Sequence, residues 1–179
     1  MTLSIQTDFA FKPDIDIYQA FRSTIMTTEE SAESETGITF LEAGADGPPI
    51  HLHPKQDETF IVLQGTVEIY KQDQWHKVSA GEEIFIPRQT PHTFRSRDTA
   101  DAYFKYVVTP KGGFTEMLRT FDKLMVAGKI RSNSDLRSLI YLAMTFKRHE
   151  EEVVSVTPPQ FVMSLLAGIG KLLGFKMED

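Results

Sequence analysis

Three of the five histidines in this 179-residue chain fall in two short segments bounded by turn residues. The first is His51-Leu52-His53; the second is His92, which follows Pro87-Arg88-Gln89-Thr90-Pro91. On an extended strand residues i and i+2 project from one face, so both imidazoles of the first segment can reach the same point. Pro54 then interrupts the ladder and resets the alternation, which lets Glu58 begin the next strand facing the same interior. Phe60 and Val62 share the face of Glu58, so its carboxylate stands at one end of an apolar row. An ionised carboxylate there is costly unless something positive pairs with it, and a divalent cation does so directly. His92 opens a further aromatic strand with Phe94 on its own face. A lone histidine beside a strand is ordinarily a hydrogen-bonded core or surface residue. Here spacing, turn residues and a second histidine segment agree on one metal site of His51, His53, Glu58 and His92.

Three neutral imidazoles and one carboxylate around a divalent ion leave a net charge of about +1, with about two octahedral positions open. Such a centre favours an anionic oxygen ligand: a carboxylate, an enolate or a phenolate. It can act as a Lewis acid or, with a redox metal, in oxygen chemistry. Iron, manganese, nickel and zinc all suit an imidazole-rich donor set.

The elements that must position these residues are short. GITFLEA, TFIVLQG, TVEIYK, EIFIP, HTFRS and AYFKYVVT carry β-branched or aromatic residues, punctuated by Gly-Pro-Pro, Gly65, Lys-Gln-Asp-Gln, Ala-Gly and Pro-Arg-Gln-Thr-Pro. Strands at this spacing indicate a sandwich or barrel. The hydroxyl-rich and acidic stretch TTEESAESETG before them reads as a solvated loop. After Lys111-Gly112-Gly113 the period changes. Phe114, Leu118, Phe121, Leu124 and Met125 mark a helix ending near Gly128. A second helix starts at Ser132–Asp135, a possible capping box, and buries Leu136, Leu139, Ile140, Ala143 and Phe146. A third is expected from Thr157-Pro158-Pro159-Gln160, with Thr157 capping and Pro158 at the first helical position, through Phe161, Leu165, Leu166, Ile169, Leu172 and Leu173.

Composition narrows the function classes. A formal net charge of −6 opposes a surface built to neutralise nucleic-acid phosphates. The chain has no cysteine, which removes disulfides, thiolate nucleophiles and Cys-based metal sites. The opening MTLSIQTDFAFKPDID lacks the basic and apolar regions of a secretory leader, and no apolar run reaches the roughly 20 residues that span a bilayer. A cytoplasmic protein with a small-molecule ligand is expected.

The run Gly44-(6)-His51-x-His53-(4)-Glu58-(6)-Gly65 resembles the first motif of the cupin superfamily, and Gly81-(5)-Pro87-x-Gln89-xx-His92 resembles the second. The departures are a leading Gly one residue farther out, Gln89 in place of a turn glycine, and Ser96 where Asn is common. The segment from Pro158-Pro159 to Leu172-Leu173-Gly174-Phe175 is similar to that of bacterial single-cupin proteins. The resemblance implies a mainly β protein: a double-stranded β-helix (jelly-roll) barrel over residues 1–111, its metal motifs at 44–96. About three C-terminal helices over 112–179 would pack on the barrel or on the partner in a homodimer. It also implies the same four ligands and, as its commonest enzymatic consequence, a dioxygenase-type oxidoreductase. A metal-dependent isomerase or lyase and a non-catalytic ligand-binding cupin are the alternatives. Phe60 and Phe94, with Phe104 and Tyr106, could line a cavity for the ligand or simply fill the barrel core.

Three further features have ordinary readings. The apolar third helix with Lys171 and Lys176 could lie on a membrane surface, but packing suits it better. The run His149–Val153 reads as a solvated helix end. Arg95, offset by one from Phe94, points outward.

Overall fold

Alternation decides the faces of the long strands. In β3 (Glu35–Leu41) the residues Glu35, Gly37, Thr39 and Leu41 are buried, and those between them are not. Ala102, Phe104, Tyr106 and Val108 do the same in β10 (Ala102–Thr109), as do Glu58, Phe60 and Val62 in β5 (Asp57–Gln64). This period of two places one row of each strand in a shared interior. The computed structural model describes residues 13–132 and 134–177. Most of the segment expected to lack a secretory leader, and Asn133 in the expected capping box, lie outside the described residues.

Two antiparallel sheets face each other. The first runs β1 (Ile15–Asp16), β2 (Ser23–Glu30), β3, β10, β5 and β8 (Glu83–Ile86). The second runs β11 (Val154–Thr157), β4 (Ile50–Leu52), β9 (His92–Arg95), β6 (Thr66–Lys71) and β7 (Gln74–Ser79). The neighbours β3–β10–β5 and β4–β9–β6 are distant in sequence, which is the crossing connectivity of a jelly roll. The fold is therefore mainly β, with helices α1 (Tyr18–Phe21), α2 (Phe114–Val126), α3 (Leu136–Arg148) and α4 (Gln160–Leu172) set mostly after the barrel.

Two apolar cores meet at β10. One, inside the barrel, joins Leu41, Phe60, Val62, Val67, Ile69 and Phe104. The other joins Phe21 and Ile25 to Phe121 of α2 and Phe146 of α3, and takes Tyr106 and Val108 from the far end of β10. Each buried Phe contributes about 1.5–3 kcal/mol, so apolar area supplies much of what holds the helical layer against the barrel mouth. A polar contact fixes its angle. The buried Glu35 carboxylate accepts from the backbone N–H groups of Gly112, Phe114 and Thr115 at 2.9–3.1 Å, capping α2 from a neighbouring strand.

Several expectations are corrected. Thr27–Glu30 completes β2 and Glu35 opens β3, so only the tip of TTEESAESETG is a turn. β7 follows the Gln72-Asp73 turn, whose residues both have positive φ, and begins at Gln74. Leu136 and Leu139 are exposed; α3 buries Ile140, Ala143 and Phe146 as expected and adds Tyr141, and Asp135 caps it by accepting from Ser138 N–H. Thr157 does not cap α4. It ends β11, and Pro159 holds the cap position without a side-chain bond. On α4, Met163, Ala167 and Gly170 are the buried residues, while Phe161, Leu165 and Leu172 face outward. A Cβ on Gly170 would lie 2.5 Å from Ile140 Cγ2, which is why α3 and α4 can approach only at a glycine. No helix among the described residues is long and apolar enough to cross a membrane.

Candidate metal centre

His51 lies in β4 and His53 immediately follows that strand. In register, His51 stands opposite His92 at the start of β9, and their rings are 4.5 Å apart. Glu58 enters from the other sheet as the second residue of β5. The turn between them is anchored at both ends. Gln89, in the position expected for a turn glycine, adopts φ +62° and donates its N–H to the His53 carbonyl at 2.7 Å. The Arg88 guanidinium and N–H hold Asp57, next to Glu58. The four side chains converge: their donor atoms all lie within 4.8 Å of one another, and all four residues are buried. His76 and His149 lie elsewhere.

The ring orientations are set by backbone. Each Nδ1 lies 2.8 Å from a carbonyl oxygen: His51 on Pro49, His53 on Glu152 and His92 on Thr90. A carbonyl only accepts, so each Nδ1 carries a hydrogen and each neutral ring presents a bare Nε2 lone pair toward the centre. His92 Nε2 is 2.8 Å, and His53 Nε2 3.4 Å, from the Glu58 carboxylate. Three lone pairs and a carboxylate thus face one another in an interior without solvent, and only a positive charge among them relieves the repulsion.

A proton or a metal ion can supply that charge. Metal–nitrogen and metal–oxygen bonds of about 2.1 Å put octahedral neighbours about 3 Å and opposite ligands about 4.2 Å apart, a span these atoms accommodate. The donor set therefore fits a divalent ion. Without one, burial would raise the Glu58 carboxyl, but hydrogen bonds from His53 and His92 and their charges outweigh it and hold it below the ordinary carboxylate range. Burial opposes protonation of His53, yet the Glu58 hydrogen bond and charge, with the Glu152 carbonyl, raise it. His51 is depressed well below an ordinary imidazole by burial, then by the charges of His92 and His53.

Beside the centre is a cavity of about 70 Å³, overwhelmingly apolar. His51, Glu58, Phe60, Phe94, Phe104 and Tyr106 line its barrel side; Phe114, Met117, Leu118 and Phe121 of α2 close it. Phe114 packs on the His53 ring at 5.2 Å and on Tyr106 at 5.4 Å, so the first residue of α2 walls off the metal centre. Arg95 points away from the site, stacked 3.6 Å over Trp75 and bonded to Glu68.

One residue from the run read as solvated belongs to the site's support. The carbonyl of Glu152 orients His53, while its carboxylate holds the Gln56 amide. β11, which follows, pairs Ser155 with His51 and Val154 with Leu52. Nothing local in the sequence marks Glu152, because its partners lie 96 and 99 residues away.

The family described as Cupin domain matches residues 37–109. A probable oxidoreductase of Hypocrea virens, virH, is 28% identical over 153 residues, covering 76% of this chain and 68% of that protein. Quercetin 2,3-dioxygenase of Bacillus subtilis is 27% identical over 96 residues; the match covers 53% of this chain and only 28% of the relative's length. Among solved structures, the TT1209 protein of Thermus thermophilus is similar with a TM-score of 0.47 and 18% identity, over 58% of this chain and 91% of that one.

Proposed function

We propose, from the match of residues 37–109 to the family described as Cupin domain, that His51, His53, Glu58 and His92 hold a divalent transition metal which binds a small anionic or enolic ligand for dioxygenase-type oxidation. The observation that carries this reading is the convergence of three Nε2 lone pairs and one carboxylate, each ring fixed by a backbone carbonyl. Outer partners of this kind hold a ligand's tautomer and direction before an ion arrives. The relatives named as a probable oxidoreductase and a quercetin 2,3-dioxygenase support the reaction class. Iron, manganese, nickel or zinc suits the donor set.

The ion, when bound, supplies Lewis acidity and, for a redox-active metal, electron transfer toward oxygen. The chain supplies the rest. His51 and Glu58 face the cavity and direct the open side of the centre into it. Phe60, Phe104 and Phe114 exclude water, which strengthens every charge interaction within and favours an anionic ligand whose negative charge meets a net positive centre.

The test is elemental analysis of protein purified without chelating resin or a histidine tag, then turnover assays on the metallated form. About one ion per chain is expected, and none after His51→Ala with His53→Ala; a double variant that keeps its metal refutes the ligand set. Oxygen uptake with an enolic or phenolic substrate is expected. Turnover under strict anaerobiosis points instead to isomerase or lyase chemistry, and tight binding without turnover to a non-catalytic role.

A further inference from the structure

The cavity beside the centre is lined by a tyrosine whose hydroxyl makes no hydrogen bond of ordinary geometry. Tyr106 is 3% exposed; the Thr115 hydroxyl, likewise buried and unpaired, lies beside it. A further orphan, the Ser23 hydroxyl, opens on the same cavity. Leaving a buried hydroxyl unpaired costs about 1–3 kcal/mol, a penalty that a phenylalanine in the same place would avoid. The position is also built for this side chain. Tyr106 stands opposite Phe60 on one side and Gly37 on the other. A Cβ at Gly37 would lie 2.5 Å from the Tyr106 hydroxyl oxygen, so only glycine leaves room for it. Two residues along the same pair of strands, Val108 stands opposite Glu58, so Tyr106 is a diagonal neighbour of Glu58, with its ring lying over Gly37 on the other flank.

Size restricts what the hydroxyl can meet. A dry apolar cavity of about 150 Å³ takes up benzene; the space here is about 70 Å³. A three-ring flavonol does not fit, and a short oxo acid fits only with its oxygens at the metal and no more than its short alkyl tail in the cavity.

We infer that Tyr106 is a ligand-binding residue. Its hydroxyl donates to one oxygen of a compact, enolisable oxo acid whose other oxygens sit at the metal, with the short apolar tail among Phe60, Phe104 and Met117. This rests on the metal reading above and narrows its substrate class. The burial that keeps the phenol protonated, together with the charges of Glu58 and Glu35, makes it a donor rather than an acceptor over the working pH range.

The test is calorimetric titration of the metal-loaded full chain with 2-oxobutyrate and, separately, quercetin, alongside elemental analysis of every sample. The wild type is expected to bind 2-oxobutyrate only when metallated. Tyr106→Phe should keep its metal and, freed of the unpaired hydroxyl, melt higher without ligand, but bind about tenfold more weakly, the loss of one hydrogen bond to an anionic oxygen. Gly37→Ala, which pushes the phenol aside, should weaken binding in the same direction. Equal binding by Tyr106→Phe overturns the assignment and shows that the nearby Thr115 hydroxyl satisfies Tyr106. Absent binding of 2-oxobutyrate to metallated wild type, or tighter binding of quercetin, overturns the compact class. A wild type without stoichiometric metal fails earlier, in the elemental analysis, and takes the underlying reading with it.

Discussion

At His53 a proton and a metal ion compete for the same lone pair. In the metal-free protein Glu58 raises the affinity of this imidazole for a proton, while His51 stays neutral. A histidine whose folded-state pKa exceeds its unfolded value stabilises the fold fully below the unfolded value. It loses that contribution as pH rises through the raised one. A divalent ion replaces the contribution on the alkaline side, because it binds the ring only after the proton leaves. The melting temperature of metal-loaded protein should therefore exceed that of metal-free protein by a margin that widens from about pH 6 to about pH 8. A margin independent of pH across that range would show that no ligand proton is displaced. The same pair of residues explains why the convergence of these side chains could be read in the sequence. Parity on a strand is local information, and His51, His53, Glu58 and Phe60 follow from it. The role of Tyr106 is different: its orphan hydroxyl is visible only once Gly37, on the neighbouring strand, is seen to make room for it.

Among the elements, α2 matters most to the site, since its first residue packs on His53 and its inner face closes the cavity. The helix has no side-chain cap of its own; Gly113 stands at the cap position and Glu35 serves from β3. Glu35→Ala should strip three backbone N–H groups of their acceptor and lower stability by about 3 kcal/mol in denaturant unfolding. Hydrogen exchange should be fastest at Phe114 and Thr115 in that variant. A loss below about 0.5 kcal/mol would mean that apolar packing alone seats the helix. At the α3–α4 contact, Gly170→Ala forces a methyl against Ile140 and should cost about 1–3 kcal/mol in the same measurement. Both helices announced themselves through apolar period, yet the period of α4 misled about its buried face. Small residues, Ala167 and Gly170, make the contact there, while the bulkier Phe161, Leu165 and Leu172 face outward. Hydrophobic size is a poor guide where two helices pack closely. The Glu35 cap was illegible for another reason: it acts across 77 to 80 residues, from a stretch whose composition resembles a loop.

Across the whole molecule, the barrel and the segment after it share one site. β4 is bordered by β9 on one side and β11 on the other, so the strand that carries His51 is enclosed only when residues 154–157 are in place. Glu152 adds the carbonyl that orients His53. Glu152→Ala keeps that carbonyl but frees Gln56 and the backbone around it, and should weaken metal affinity about tenfold in competition with a chelator. Unchanged affinity would confine the role of Glu152 to its main chain. The coarse architecture was legible because turn residues and strand composition recur along the chain. β11 was not, being four residues wedged between a helix end and two prolines.

The Glu152–His53 bond also has a consequence in time. A chain made from its N-terminus has produced all four donor residues by position 92, but it lacks the group that aims His53 until position 152. Three donors can be poised early; the fourth is aimed only after α2 and α3 have been synthesised between them. On the proposed metal reading, firm ion capture is thereby a late event, and a tightly held metal would report that the helical layer has docked as well as that the barrel has closed.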